Sequence, residues 1–420
     1  MDAGENYEVK DLNLAEQGRK NIEWAESQMA ALLNVRERFA KERPFEGIRI
    51  GAALHPTKET AVLVRTLVAG GADVALCASN PLSTQDDVVA ALAKEGVKVW
   101  AYKGETKEDY YRYLTNVIKT QPNYTIDDGC DLVFEIHNKH PELISDIIAG
   151  AEETTTGVIR LKAMENGNAL KYPMFAVNDL KTKHMFDNFL GTGQSTIDGI
   201  LRATSVLLAG KNFVVCGYGN CGRGIALRAR GMDSNVIVCE IDPVRALQAA
   251  HDGYKVMPLA EAATIGDIFV TATGNKHVIR TEHMKTMKNG AILANSGHFD
   301  VEIDVAGLEG MGKKENVRPF LDRYVLGGGK NIYLIGEGRL CNLVAAEGHP
   351  SIVMAQSFCG QALAAEYAVK NRGKLPVQVI NVPEAIDNEI AVLQLDALGV
   401  RKDTLTEDQE RYLKSWEEGT

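Results

Sequence analysis

Apolar and polar positions follow three successive patterns along the chain. Between residues 11 and 41, Ile22, Ala25, Met29, Leu32 and Leu33 recur at roughly helical spacing and predict one long helix. From GIRIGAAL onward, short apolar runs alternate with helical stretches: a helix in TAVLVRTLVAGG, a strand in DVALCAS, a helix in DDVVAALAKEG, a strand in VKVWAYK and a helix in EDYYRYLTNVIKT. Such alternation is the signature of a parallel sheet with helical crossovers. It runs on to IDDGCDLVFEIH and the polar stretch EETTTGVIR. A second α/β series begins near Gln194, with a helix to Ala209 and a strand at NFVVCG. Its later strands, NVIVCEID, DIFVTATG, AILANSGH and NIYLIGEG, each end in a cluster of Gly, Asn, Thr, His or acid. YVLGGGKNIYLI reads as a glycine-turned hairpin. After Gly348 the pattern becomes helical again, with Pro350 and Ser351 at the start. A further helix should follow Pro383, and Thr406 to Gln409 has the form of a capping box for a last short helix.

The glycine spacing of GYGNCGRG changes this picture from architecture to chemistry. Gly217, Gly219 and Gly222 follow an apolar run, and Glu240 closes the next one. Glycines let backbone approach a pyrophosphate at a helix N-terminus, and a later strand-end carboxylate takes ribose hydroxyls. Strand, turn, helix and acid together predict a Rossmann dinucleotide-binding unit, with Glu240 favouring NAD over a cofactor bearing a 2'-phosphate and Arg245 pulling the other way. Because that unit is central, the chain is expected to be α/β with a discontinuous α/β substrate domain (residues 1–186 and 345–390), an inserted Rossmann domain (residues 190–344) and a short helical tail (residues 391–420). Ligands of open parallel sheets bind at the carboxyl ends of strands, so the strand-end clusters should line one crevice with His298 beside the cofactor.

Composition mainly excludes. The 420 residues are 45% apolar and 24% charged, with a formal net charge of -10. With no dense basic run, nucleic-acid and anionic-membrane partners are not expected. The acidic start MDAGENYEVKDLNLAEQ and the lack of any long apolar stretch predict a cytoplasmic protein. Cys77, Cys130, Cys216, Cys221, Cys239, Cys341 and Cys359 contain no C-x-x-C pair. They read as small buried hydrophobes, with neither a metal site nor a disulfide framework expected.

Three segments of the first series are polar for a core: LHPTKET with His55, Thr57 and Glu59; DDGCD with Asp127, Asp128 and Asp131; and EETTTG with Glu153, Thr154, Thr155 and Thr156. His55 and Asp128 follow β-type runs, which would set them in one cleft. Taken singly, each residue also reads as a loop histidine, a turn acid or a helix cap. In NDLKTKHMFDN, Lys183 and Asp187 are four apart. That spacing serves either an exposed ion pair or, beside a cofactor, a desolvated lysine with a lowered pKa acting as a base.

Together these motifs resemble the S-adenosyl-L-homocysteine hydrolase family. LHPTKET, NPLSTQDD, DDGCDL, EETTTGV, ND followed by TK and FDN, GYGNCGRG, EIDP, SGHFDVEID, EGRLCNL and GHPSIVM stand in the family's order over nearly the whole chain. The resemblance implies reversible conversion of S-adenosyl-L-homocysteine to adenosine and L-homocysteine in support of the methylation cycle. Bound NAD would oxidise the ribose 3'-hydroxyl, the thiol would leave by β-elimination, water would add, and the ketone would be reduced again. It implies that Lys183, Asp187 and His298 serve the 3'-hydroxyl, that His55 and Asp128 serve the C4' hydrogen, the thiol and the water, and that Glu153 binds ribose hydroxyls. Thr154, Thr155, Thr156, Asn188, Asn342, Ser296, Gly297 and the fingerprint residues Gly217, Gly219, Asn220, Cys221 and Gly222, with Glu240, would contact NAD. Thr57, Glu59, His349, Met354 and Phe358 would hold the purine.

A homotetramer is also implied. Thr192, Arg245 and Glu347 depart from residues common in the family, as does the closing RYLKSWEEGT, which lacks a Lys/Tyr tail. An acceptor at Glu59 favours a 6-amino over a 6-oxo purine, and so S-adenosyl- over S-inosyl-L-homocysteine as substrate. The inserted dinucleotide unit would also fit an NAD-dependent dehydrogenase of the 2-hydroxyacid type, or an NAD-sensing module without catalysis.

Overall fold

The computed structural model, which describes residues 1–417, divides into two sheets along the two α/β series. The first series supplies β1 (Asp2–Gly4), β2 (Tyr7–Val9), β3 (Arg49–Leu54), β4 (Asp73–Ala78), β5 (Lys98–Trp100), β6 (Tyr124–Asp127), β7 (Ala149–Glu152) and β8 (Met174–Ala176). The second supplies β9 (Asn212–Cys216), β10 (Asn235–Cys239), β11 (Lys255–Val256), β12 (Ile268–Thr271), β13 (Ala291–Asn295), β14 (Gly312–Arg318), β15 (Leu321–Leu326) and β16 (Asn331–Ile335). The chain then returns to the first sheet with β17 (Val379–Asn381). Sheet order is β1-β2-β5-β4-β3-β6-β7-β8-β17 in one and β11-β10-β9-β12-β13-β16-β15-β14 in the other. This is the discontinuous α/β unit with an inserted Rossmann unit that the pattern predicts.

The inner strands are parallel and buried on both faces, which is why they read as unbroken apolar runs. Each sheet has a reversal of strand order at its parallel centre. From β3 the chain proceeds outward through β4 and β5, then restarts on the other side at β6; from β9 it proceeds through β10 and β11, then restarts at β12. Crevices form at such reversals, outside the carboxyl ends of the strands. The residues that follow these four ends are His55, Asp128, Gly217 and Ala272–Thr273.

Helix Ser351–Lys370 returns the chain to the first sheet. It buries Ala355, Phe358, Cys359, Ala362, Leu363 and Ala365 against helices Ala30–Glu42 and Lys58–Ala69. A helix apolar on nearly all sides belongs inside a domain. Each such large side chain stabilises by about 1.5–3 kcal/mol on burial, so this return segment is integral to the first unit.

Five local features differ from the pattern-based expectation. The long N-terminal helix is two, Ala15–Glu26 and Ala30–Glu42; Ser27 Oγ bonds back to the Trp24 carbonyl at 2.6 Å and closes the first. Strands β1 and β2 form a hairpin inside the acidic, polar start, for which the pattern gives no strand, because β2 finds its partner in β5, far along the chain. The helix expected to reach Ala209 ends at Thr204, where Ser205 turns left-handed at φ 54°. Helix Glu384–Ala397 packs on the first unit and runs through residue 390, the expected edge of the tail. Finally, the strand-end clusters do not all share one crevice, since the NIYLIGEG end stays outside it. The glycine hairpin is present between β15 and β16, with Gly328 and Gly329 at φ 79° and 80°. The capping box at Thr406 and Gln409 has both reciprocal bonds. Residues 418–420 of the expected tail lie outside the described residues.

Candidate active site

Two adjoining cavities lie at the strand reversals and share Thr154, Asn188, Cys221, Ser296 and His298 in their walls. The smaller is lined by His55, Asp128, Glu153, Lys183 and Asp187, with Thr57, Glu59, His349, Met354 and Phe358. All eleven of the expected catalytic and purine-holding residues therefore border one space.

His55 follows β3 and Asp128 follows β6, so pairing of those strands delivers both to one edge. His55 Nε2 stands 3.4 Å from Asp128 Oδ2, and His298 Nδ1 stands 3.5 Å from Asp128 Oδ1. His55 Nδ1 meets Ser83 Oγ at 2.8 Å and Ser79 Oγ at 3.2 Å, which fixes the ring. Burial pushes the His55 pKa down to about 4, against the pull of Asp128, and lowers that of His298 for the same reason. Both rings are thus neutral near pH 7 and able to take a proton. One donor atom from each of His55, Asp128 and His298 lies within 4.8 Å of the others, so the trio also has the spacing of a metal site.

The second cluster centres on Lys183, which is 3% exposed. Its ammonium lies 3.1 Å from Asp187 Oδ1 and 4.0 Å from Glu153 Oε1, and donates to Asn188 Oδ1 at 3.0 Å and Asn178 Oδ1 at 3.2 Å. Burial opposes the ammonium, but Asp187 and Glu153 outweigh it and hold the lysine pKa above its ordinary value. Neither reading of the i,i+4 spacing is met: the pair is buried, and the lysine pKa is raised rather than lowered. Nor do the two share a continuous helix. Lys183 belongs to the short turn Lys181–His184, and Asp187 opens a π-helical turn, Asp187–Gly191. Burial also opposes the Asp187 carboxylate, yet Lys183 and His349 hold its pKa below the usual range. Glu153 is pushed up to about 7 by burial, against Lys183, while Ser357 Oγ and Gln361 Nε2 donate to its two oxygens.

At the other end, Thr57 caps helix Lys58–Ala69, accepting from Thr60 N, and the next turn presents Glu59. Glu59 accepts from Ser351 Oγ at 2.5 Å and has Lys58 Nζ at 3.4 Å. Met354, Phe358, Leu54 and Leu343 add apolar walls. His349 is tied to the centre: its Nδ1 is 3.0 Å from Ser195 Oγ, and its Nε2 is 3.4 Å from Thr192 Oγ1 and 3.5 Å from Asp187.

The larger cavity is built from backbone. Gly217 has φ +99°, a left-handed conformation that favours glycine, and a Cβ on Gly222 would overlap the Gly217 carbonyl oxygen. Gly219 faces open space, with only Arg245 Nη1 within 4 Å of a built Cβ. Helix Asn220–Gly231 starts immediately after it. Gly217, Gly219, Asn220, Cys221, Glu240, Ser296, Gly297 and all three threonines, Thr154 to Thr156, line this cavity. The Glu240 carboxylate accepts backbone N–H groups of Tyr218 at 2.6 Å, Ile241 at 2.7 Å and Asp242 at 2.9 Å. Two expected contacts sit elsewhere. Gly222 packs behind the turn and lines neither cavity, while Asn342 lines the smaller one. The NIYLIGEG strand end lines neither; its Gly338 carbonyl accepts from Asn295 Nδ2 at 2.9 Å, steadying the loop that carries His298.

These residues fit a dinucleotide. The glycine turn leaves room at a helix N-terminus; in the adjoining smaller cavity, buried Asn342 Oδ1 has no hydrogen-bond partner among the described residues, which leaves it free to accept from a ligand there. Several supporting residues escape sequence reading. Ser83 and Ser351 lie inside quoted motifs, but serine carries no signal of its own. Glu302, 1% exposed, accepts from Thr273 and Gly274 of the cofactor cavity, a pairing across 28 to 29 residues.

Comparison with known proteins agrees with this geometry. Residues 6–145 match the family S-adenosyl-L-homocysteine hydrolase, and residues 188–348 match its NAD binding domain. An adenosylhomocysteinase of Saccharolobus solfataricus is 58% identical over 417 residues, covering 99% of this chain and 100% of the relative. One of Aquifex aeolicus is 58% identical over 416 residues, with the same coverage. An S-inosyl-L-homocysteine hydrolase of Methanocaldococcus jannaschii is 55% identical over 415 residues, again covering 99% and 100%. With identity of this order along its whole length, the chain belongs to the S-adenosyl-L-homocysteine hydrolase family.

Proposed function

We propose that this protein catalyses the reversible hydrolysis of S-adenosyl-L-homocysteine to adenosine and L-homocysteine, with NAD held by the second unit. The observation that carries the reading is the meeting of two separate titratable clusters, His55–Asp128–His298 and Lys183–Asp187–Glu153, where the two cavities join. A simple dehydrogenase needs one acid/base centre beside its cofactor; two suit a reaction that also breaks a carbon–sulfur bond.

NAD, when bound, would supply a reversible hydride acceptor for the ribose 3'-carbon, so that net redox is zero. Gly217, Gly219, Asn220 and Cys221 would seat its pyrophosphate side, Glu240 its adenosine ribose, and Thr154, Thr155, Thr156, Asn188, Ser296, Gly297 and Asn342 the remainder, with Gly222 keeping the turn tight. In this reading Glu153 orients the ribose hydroxyls. Lys183 and Asp187 handle the 3'-hydroxyl proton; Lys183 rests charged, so it must shed a proton before accepting one. His55 and Asp128 take the C4' hydrogen, protonate the departing thiol and activate water; His298, expected beside Lys183 and Asp187 at the 3'-hydroxyl, is instead assigned to the Asp128 cluster that it meets. Thr57, Glu59, His349, Met354 and Phe358 hold the purine. Glu59, with Ser351 already donating to it, presents an acceptor suited to a 6-amino group, which favours adenine over hypoxanthine.

The division into residues 1–186 with 345 onward, and 190–344, follows the two sheets, with helix Glu384–Ala397 assigned to the first unit. A homotetramer is implied by the family resemblance, and the exposed Val244 and Leu247 of helix Pro243–His251 are open to a neighbouring subunit. A cytoplasmic setting is favoured by seven unpaired cysteines; no helix among the described residues is long and apolar enough to cross a membrane. A thiol-trapping assay read beside absorbance of reduced cofactor tests the reading. Free thiol without accumulating NADH is expected; stoichiometric NADH without thiol overturns it in favour of the dehydrogenase. Faster turnover of the S-inosyl compound would overturn the purine assignment alone.

A further inference from the structure

Two of the acids that touch the smaller cavity, Asp128 and Glu153, are each preceded by a second acid on the other face of the strand. Asp127 and Glu152 end β6 and β7, are direct cross-strand partners, and are both fully buried. Neither lines either of the two cavities. We propose that Glu152 is a positioning residue for this site, one oxygen of its carboxyl setting the working separation of Asp128 and Glu153, a role that rests on the hydrolase function proposed above.

The geometry is specific. Glu152 Oε1 accepts from Gly129 N at 2.9 Å and from Thr154 N at 3.0 Å. Gly129 follows Asp128, and Thr154 follows Glu153, so a single atom pins the residue after each working acid. The pinned turn is not one the chain adopts freely. Gly129 has φ +111° and Cys130, which is not glycine, has φ +67°. A Cβ on Gly129 would overlap the His298 ring, so the turn must hold this shape for His298 to meet Asp128. Room for the carboxyl is provided at Gly157, where any Cβ would overlap it. Asp127 completes the clamp, accepting from Asp128 N at 2.9 Å and Val133 N at 2.8 Å.

Glu152 Oε2 is buried and has no hydrogen-bond partner among the described residues. Burial raises the Glu152 pKa well above the usual range and pushes Asp127 up to about 7. The role asked of Glu152 is therefore reach: an acceptor placed one side-chain length from two N–H groups, not a charge.

Two substitutions separate reach from charge. Glu152→Gln keeps the length and the accepting oxygen; Glu152→Asp keeps the acid but withdraws it by about 1.5 Å. The NAD-loaded full-length parent and both variants are compared by kcat and KM for thiol release from S-adenosyl-L-homocysteine, with cofactor content measured on each. Glu152→Gln is expected to stay close to the parent. Glu152→Asp is expected to lose about 100-fold in kcat with KM little changed, the cost of a displacement of about 1 Å at a reacting group. The proposal is overturned if Glu152→Asp matches the parent, or if Glu152→Gln falls as far as Glu152→Asp. A parent that releases no thiol strikes the function and not the clamp. In that case a crystal structure of Glu152→Asp decides: displacement of residues 128–130 relative to Thr154 sustains the clamp, and unchanged positions sink it.

Discussion

The strand ends of the two sheets solve opposite problems. In the first sheet, β3, β6 and β7 are followed by His55, Asp128 and Glu153, side chains that are buried yet titratable. In the second, β9 and β13 are followed by Gly217 and by Ser296–Gly297, and Gly274 stands close behind β12, so that backbone amides and empty space face the ligand. Both sheets place these residues at or one strand beside a reversal of strand order, so topology alone does not distinguish a reacting site from a holding site. The distinction lies in what a substitution removes. On the first sheet an isosteric change should abolish rate and spare the fold, whereas on the second the smallest added group should disturb the fold and the cofactor together.

The largest expected effect is on the first sheet. Asp128→Asn preserves size but removes the carboxylate between His55 and His298, each within 3.5 Å. Turnover should fall about 1,000-fold, within the range for loss of a general acid/base group, while bound NAD and thermal midpoint stay near the parent's. Thiol release, cofactor content and calorimetry on one preparation check it. If Asp128→Asn sheds NAD or melts early, the residue is structural and the contrast between the sheets breaks.

The matching test on the second sheet is Gly222→Ala. The new methyl would overlap the Gly217 carbonyl, backbone that cannot step aside, so destabilisation of about 1–3 kcal/mol and weaker NAD retention are expected. Gly231→Ala, at the other end of the same helix, meets nothing within 4 Å among the described residues and should instead stabilise by up to about 1 kcal/mol. Midpoints that move in the same direction for both variants would contradict the claim that the turn is what needs glycine.

A third test asks whether the buried acids of the first unit register in stability. Asp127 and Glu153, ordinarily near 3.8 and 4.5, are both pushed up to about 7 by burial. The folded state therefore keeps protons that the unfolded chain has released, and this contribution is lost as pH rises through 7. His55 and His298 are shifted downward and act in the opposite sense, mainly below pH 7, where the unfolded histidines are still taking up protons. Between pH 6.5 and 8 the two acids outweigh the two histidines, and stability should fall on the order of 1 kcal/mol. Thermal midpoints at fixed ionic strength measure it. A midpoint that rises across this window would mean that the acids are already ionised at pH 6.5.

Much of the molecule is legible in the chain because it is local. Strand-end clusters, the glycine fingerprint and the capping box at Thr406 depend on neighbours a few residues away, and the family motifs put eleven residues around one cavity. What is not legible depends on pairings across long separations. Hairpin β1–β2 joins the sheet only through β5, and Ser351 reaches Glu59 across 292 residues. Lys183 is the instructive failure. Spacing alone suggests either an exposed pair or a weakened ammonium, whereas the fold supplies Asp187 and Glu153 together and strengthens it. Glu152 carries no signal, since in sequence it is one of two adjacent glutamates, and only the strand's alternation sends it beneath the sheet.

The smallest effect probes the seam between the two sheets. Glu347, in the segment returning to the first unit, holds Lys58 at 3.0 Å and Arg202 at 3.4 Å, one from each side. Its side chain is 60% exposed, so Glu347→Met should change stability by less than about 1 kcal/mol. The consequence for binding is more informative. Lys58 is already 3.4 Å from Glu59, and without Glu347 its ammonium has that carboxylate as its remaining partner. Glu59 would then share its acceptor with Lys58, and KM for S-adenosyl-L-homocysteine should rise while kcat holds. The difference between parent and variant should narrow in high salt, which screens the exposed pair in the parent. A variant whose kcat falls instead would show that this seam acts on the reacting groups themselves, and the division between holding and reacting strand ends would have to be redrawn to include it.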